Sequence, residues 1–214
     1  MKTVLSTKIL TQDQKNLLEK ASIQLTEYNA IHISFVDFDS DIIVENAIIT
    51  SQNAAKAVID KKVLIRNCFC VGEKTQAFLE EHGQNVIKMA HYAEELAKII
   101  QKKYKNEHFT FFCGSLRRDT IPEALKANHI SFIEIEVYKT TLNPQTIEGT
   151  FDGILFFSPS GVESYMTNNH LEQQIAFCIG KTTAEAVKKY SKKTSIASHP
   201  TIESVLENVV KHLK

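Results

Sequence analysis

Apolar residues in this chain come in short runs of four to six, and amphipathic runs of ten or more lie between them. That alternation is the pattern of βα units feeding parallel sheets: a strand buried on both faces reads as continuous apolar sequence, while its crossover helix shows a helical period. Strands are expected at residues 3–6, 47–50, 69–71, 109–113, 153–157 and 175–179, and helices at 73–81, 93–104, 119–127, 182–190 and 202–213. Ser51 and Ser158 stand where a strand ends and a helix begins, which puts a side-chain acceptor beside N–H groups that lack a helical partner. Pro122 falls in a first helical turn, where proline is tolerated.

Residues 30–35 and 131–138 break the rhythm by alternating apolar and polar side chains, and both read as half-exposed strands. With seven glycines and four prolines no flexible linker stands out, so these two strands are the candidates for an extended connection between lobes. In open α/β sheets, ligands bind outside the carboxyl ends of the strands.

The chain also repeats itself. Cys70 and Cys178, Gly72 and Gly180, Thr75 and Thr183, His91 and His199, and Glu95 and Glu203 are each 108 residues apart, while Ser51 and Ser158 are 107 apart. A period of half the chain is too long for a solenoid and indicates a duplicated domain, so two α/β lobes are expected. The repeat alone would divide the chain near residue 106.

Composition narrows the function class. Hydrophobic residues are 43% and charged residues 23% of the 214, a globular profile. Lys plus Arg and Asp plus Glu balance at 25 each, which leaves no general electrostatic footprint for nucleic acid or anionic lipid. Four cysteines, at 68, 70, 113 and 178, make no disulfide framework, and neither a signal peptide nor a spanning helix is expected. A reducing cytoplasm is the expected location.

Several turns could carry chemistry. Ser51-Gln52-Asn53-Ala54 and Ser158-Pro159-Ser160-Gly161 each combine hydroxyls, backbone N–H groups and a helix start, which together attract a carboxylate or phosphate. Simple N-capping is the competing reading. Gly180-Lys181-Thr182 suggests a phosphate-binding P-loop, but the glycine required five residues earlier is Ile175; a glycine turn with Lys181, Thr182 and Thr183 is what survives. The turn from Gly114 to Arg118 holds two of three arginines, and the guanidinium fork of Arg117 suits a carboxylate; a solvated basic face is the alternative. Cys68 and Cys70 are expected as core thiols, since zinc would need further ligands at compatible spacing. The histidines form no metal-binding group, and no Gly-x-Ser-x-Gly elbow occurs. Tyr138 closes the second alternating strand, either as an edge residue or as a proton donor.

In order along the chain, Thr50-Ser51-Gln52-Asn53-Ala54, Cys70-Val71-Gly72 with Thr75, Gly114 with Arg118, and Glu136-Val137-Tyr138 with Thr140 are followed by Phe157-Ser158-Pro159-Ser160-Gly161-Val162, Cys178-Ile179-Gly180-Lys181-Thr182-Thr183-Ala184 and His199 to Val205. This series resembles the uroporphyrinogen-III synthase family over essentially the whole chain. The resemblance implies an α/β fold of two flavodoxin-like lobes with parallel sheets, joined by a two-stranded β ladder. Lobe one would be residues 1–29 plus 145–214, lobe two 38–136, and the connecting strands 30–37 and 137–144.

It also implies an activity: a cyclising lyase of tetrapyrrole (heme) biosynthesis, closing linear hydroxymethylbilane with inversion of ring D and loss of water, without metal or organic cofactor. Loss of the hydroxyl leaves an azafulvene cation; the substituted carbon of ring D attacks it to give a spiro-pyrrolenine, which fragments and recloses to uroporphyrinogen III. By the resemblance Tyr138 is the acid or water-positioning group, and Ser51, Gln52, Asn53, Gly114, Arg117, Ser158, Ser160, Gly161, Lys181, Thr182 and Thr183 bind substrate. Lys8 stands near the place where the family usually has arginine, and Asn128 where it often has glycine. The implied partner is the linear tetrapyrrole alone, with a transient contact to the preceding pathway enzyme, no nucleic acid, no membrane, and a monomeric state. A two-lobed carboxylate or tetrapyrrole binder without catalysis is the alternative; a nucleotide-sugar transferase is disfavoured by length and by the absent phosphate loop.

Overall fold

The computed structural model describes residues 1–214, and no helix in it is long and apolar enough to cross a membrane. In chain order the elements are β1 (Lys2–Ser6), α1 (Gln12–Lys20), β2 (Ile23–Glu27), β3 (Ile31–Phe35), β4 (Ile43–Ile49), α2 (Gln52–Asp60), β5 (Leu64–Val71), α3 (Glu73–Glu81), β6 (Val86–Ala90) and α4 (Ala93–Lys103). There follow β7 (His108–Gly114), α5 (Thr120–Ala127), β8 (Ser131–Leu142), β9 (Gly153–Phe156), α6 (Pro159–Asn168), β10 (Ile175–Cys178), α7 (Lys181–Lys188), β11 (Thr194–Ile196) and α8 (Ile202–Leu213).

These elements form two compact units: Met1–His32 with Thr141–Lys214, and Ile33–Thr140. Unit 1 holds the sheet β11-β10-β9-β1-β2, and unit 2 lies on the sheet β3-β8-β7-β4-β5-β6. All neighbouring strands pair in parallel apart from β3 and β8. Taken in chain order, the unit 1 strands lie 2-1-3-4-5, the flavodoxin order. Five strands of unit 2 have the same spatial layout but enter it at a different point, giving 3-2-1-4-5.

That permutation reconciles the units with the repeat. One half of the chain runs β1 to α4 and the other β7 to α8, with β8 covering the places of both β2 and β3. Each half gives its opening βαβ to one unit and the remainder to the other, so tandem halves build two discontinuous units. The exchange runs through β3 and β8. Hydrogen bonds Val36 N to Val137 O (3.1 Å) and Asn143 N to Ala30 O (2.9 Å) show these strands to be antiparallel.

Helices cover both faces of each sheet. In unit 2, α2 and α3 bury Ala54, Val58 and Leu79 against Ile49, Cys70 and Phe112, while α4 and α5 bury Leu96, Ile100 and Leu125 against Phe69, Phe109 and Phe111. In unit 1, α6 and α7 bury Val162 and Val187 on one face, and α1 and α8 bury Leu18, Val205 and Val209 on the other. Central strands expected from apolar runs are present, with β5 running back to Leu64 and β4 to Ile43.

Three strands lie outside the expected set: β2, β6 and β11. All are outermost strands. An edge strand buries one face at most, so it lacks a continuous apolar run. Helix α1 lies outside the expected set: it buries only Leu18, too little for an apolar stripe, and its start is held by a reciprocal capping box of Thr11 and Gln14.

Candidate active site

In each unit the parallel strands bring their carboxyl ends to one edge of the sheet, and the repeated turns all lie there. Ser51 and Ser158 behave alike. The Ser51 hydroxyl accepts from Ala54 N (3.1 Å) and the Ser158 hydroxyl from Gly161 N (3.0 Å), so both are genuine N-caps, of α2 and α6. A capping hydroxyl keeps its own proton to donate. The Ser158 hydroxyl lies 3.0 Å from that of Ser160. Gly161 is buried; a Cβ there would come 3.3 Å from the Ser158 oxygen and 3.6 Å from the Thr7 oxygen, so its role is close packing within the turn. Gln52 is exposed and Asn53 half-buried, and neither side chain is hydrogen-bonded.

The glycine turns differ from the serine turns. α3 starts at Gly72 and α7 at Gly180, and neither helix has a side-chain cap. Nothing lies within 4 Å of a Cβ placed on either glycine, so the space before both helix starts is open. At α7, Lys181 is exposed, Thr182 half-buried and Thr183 buried. Thr75 occupies the Thr183 position at α3 and is also buried. Thr75 is not among the residues the resemblance implies, although the 108-residue offset pairs the two threonines.

Arg117 is not a free anion contact. Its Nε donates to Glu134 and its other guanidinium nitrogen to Asp119 Oδ1 (2.5 Å), and the hydrogen bond to Glu134 is the main reason its proton is held above the usual range. The fork therefore carries two carboxylates of its own. Sequence could not reveal this, because Glu134 lies on β8, which reaches β7 only through tertiary pairing.

Tyr138 is the residue most changed by the structure. Strict alternation along β8 would put it on the same face as Glu134 and Glu136. The β7–β8 register instead shifts: Cys113 pairs with Glu136 but Gly114 pairs with Tyr138, leaving Val137 as the extra residue of a bulge. The bulge turns Tyr138 onto the face of Val137, against the cluster containing Ile49, Ala54 and Phe112. Its phenol is half-buried, lies over Gly114, and makes no hydrogen bond within the protein.

The other buried phenols are interior groups. Burial, and secondarily Tyr165, pushes Tyr28 up to about 12, and burial does the same to Tyr165. The thiols of Cys68, Cys70 and Cys178 are raised to about 12 and that of Cys113 to about 11, chiefly by burial, and all four are unpaired core residues. No group of three or more His, Cys, Asp or Glu side chains is placed to hold a metal.

The family model described as "Uroporphyrinogen-III synthase HemD" matches residues 12–207. The chain belongs to the uroporphyrinogen-III synthase family. The "Porphyrin biosynthesis protein HemD" of Ruminiclostridium josui is 27% identical over 214 residues, covering 92% of this chain and 39% of that protein. The uroporphyrinogen-III synthase of Chlorobaculum parvum is 28% identical over 144 residues, covering 60% of this chain and 58% of its own length. The chain thus spans less than two thirds of either curated relative. Two solved structures share the fold: uroporphyrinogen-III synthetase of Helicobacter pylori (TM-score 0.71, 17% identity, 99% of both chains) and a mutant uroporphyrinogen III synthase of Thermus thermophilus (TM-score 0.74, 12% identity, 99% of this chain and 98% of that one).

Proposed function

We propose that this chain is a uroporphyrinogen-III synthase, a cyclising lyase that closes hydroxymethylbilane with inversion of ring D and loss of water. Family membership supports the reading, and the observation that carries it is the Tyr138 phenol: half-buried beside the carboxyl end of β7, turned there by a bulge, and without a hydrogen-bond partner of its own. A group so placed is available to a ligand.

The chemistry asks little covalent work of the protein. Tyr138 donates a hydrogen bond or proton to the departing hydroxyl, directly or through water, and water leaves. The pyrrole electrons expel it and form the azafulvene cation; the substituted carbon of ring D then attacks, and the spiro intermediate fragments and recloses. What the protein must add is restriction of geometry, because an unrestrained bilane closes without inversion.

A polycarboxylate substrate and a chain of zero net charge are compatible if carboxylates meet helix starts and hydroxyls rather than a basic surface. The uncapped starts of α3 and α7, with Thr75, Lys181, Thr182 and Thr183, and the Ser51 and Ser158 turns with Gln52, Asn53 and Ser160, are the proposed carboxylate contacts. We further take the chain to act as a cytoplasmic monomer that meets the preceding pathway enzyme only in passing.

Purified protein given hydroxymethylbilane is expected to yield mainly the type III isomer. Product indistinguishable from the uncatalysed type I isomer would sink the proposal, and saturable bilane binding without turnover would leave only a binding module.

A further inference from the structure

The resemblance implies Gly114 and Arg117 as substrate contacts, and both are already engaged within the protein. A Cβ added to Gly114 would lie 2.3 Å from Tyr138 Cζ, 2.4 Å from Cε2 and 2.8 Å from the phenol oxygen, distances that real Cβ atoms essentially never show. Tyr138 therefore rests directly on the bare backbone of Gly114. The turn beyond is fastened to the tyrosine's own strand twice, Ser115 N donating to Tyr138 O (3.0 Å) and Thr140 N to Ser115 Oγ (3.1 Å), and it closes on itself where Arg117 N donates to Gly114 O (3.0 Å). The Arg117 guanidinium then ties Glu134 of β8 to Asp119 at the start of α5.

We propose that Gly114 and Arg117 are positioning residues: Gly114 is the platform on which the bulge lays the Tyr138 ring, and Arg117 is the tie that holds the platform to β8. The direction of the phenol is set by this platform and not by a hydrogen bond to its oxygen. A donor aimed by packing keeps its oxygen free for substrate, whereas one aimed by a partner would have to give that partner up.

This role for Gly114 and Arg117 in turnover rests on the synthase reading, but the platform itself is testable without substrate. The experiment compares Gly114→Ala, Tyr138→Ala and the double variant by thermal midpoint. It also follows Tyr138 in 3-fluorotyrosine-labelled protein by fluorine NMR, the resonance being assigned by its loss in Tyr138→Phe. Gly114→Ala is expected to lower the midpoint and move the Tyr138 resonance, and to do nothing to the midpoint once the ring is removed by Tyr138→Ala. If Gly114→Ala does not fold alone, recovery of folding in the double variant supports the platform. An equal loss in both backgrounds, or an unmoved Tyr138 resonance, overturns it.

With substrate, Gly114→Ala and Arg117→Met are expected to lower kcat about tenfold or more with KM little changed, and Arg117→Lys to recover part of the loss. A raised KM with intact kcat would make them substrate contacts and overturn the inference. Full activity of Tyr138→Phe would remove the proton-donor role of the phenol while leaving the midpoint cycle to decide the platform.

Discussion

The two units are built on the same layout, and they differ most where the chemistry is proposed. At the β7–α5 turn of unit 2, Gly114 leaves room for the phenol of Tyr138. In the corresponding β1–α1 turn of unit 1 the place of Gly114 is taken by Ser6, whose hydroxyl donates to Lys8 O, and the residue paired with it is Glu27, whose carboxylate accepts from Leu10 N (3.0 Å) and Lys15. One unit lays a phenol with an unpaired oxygen on a glycine; the other sets an already paired carboxylate opposite a serine. The units differ at the opposite ends of the strands too. Unit 2 carries an amide ladder in which Asn85 donates to Asn67, Asn67 to Asn46, and Asn46 to His108 O. Unit 1 instead packs Phe177 over Gly153, where a Cβ would come 2.5 Å from the ring. Duplication preserved the frame, which depends on strand order and buried area, and released individual positions to diverge.

The sharpest break of the comparison is at Tyr138. Tyr138→Phe is expected to cut the isomer-forming rate by about a hundredfold while urea unfolding stays unchanged, since the oxygen has no bond within the protein to lose. Next come the two core substitutes. Gly153→Ala is expected to cost about 2–3 kcal/mol by overpacking against Phe177. Asn46→Ala, at a position 5% exposed, strands the Asn67 amide and the His108 carbonyl and is expected to cost about 2 kcal/mol. Denaturant midpoints check both, and neutral results would mean that the two packing devices are interchangeable.

Smaller effects separate two ion pairs at equivalent strand starts. In unit 1, Asp152 accepts from Lys2 Nζ (2.8 Å) and Thr3 N (2.9 Å), and these bonds, that to Lys2 foremost, depress its carboxyl below 3.8. Its contribution is therefore complete above the unfolded value near 4 and is lost as pH falls through the lower folded value. Asp152→Asn is expected to cost about 1 kcal/mol near neutral pH and to flatten the decline in stability below pH 4, read from thermal midpoints across the acid range. In unit 2 the counterpart Glu45–Arg66 pair is 3.2 Å long with side chains 58% and 66% exposed. Glu45→Gln is expected to change stability by less than about 0.5 kcal/mol.

Legibility followed burial. The central strands and the helices that cover them could be read from the chain because buried strands need unbroken apolar runs and a covering helix needs an apolar stripe, whereas α1, which buries only Leu18, could not. β2, β6 and β11 could not, since an edge strand carries half that signal. Ser51 and Ser158 were legible as helix starts, and structure added that both hydroxyl oxygens accept as caps while their protons remain to donate. Arg117 looked like an anion fork because its two acidic partners include one from a strand whose pairing no local pattern reveals.

By itself, then, the sequence determined that this is a duplicated α/β protein of a recognisable family, with serine and glycine turns opening its helices, because periodicity, capping and repeated spacing are local properties. Tertiary structure alone decided that the halves exchange segments, that Arg117 is already paired, and that Tyr138 faces away from Glu134 and Glu136. Each of those follows from which strand lies beside which, and the orientation of Tyr138 turns on one residue, Val137, the extra member of a bulge, left over when β7 and β8 align.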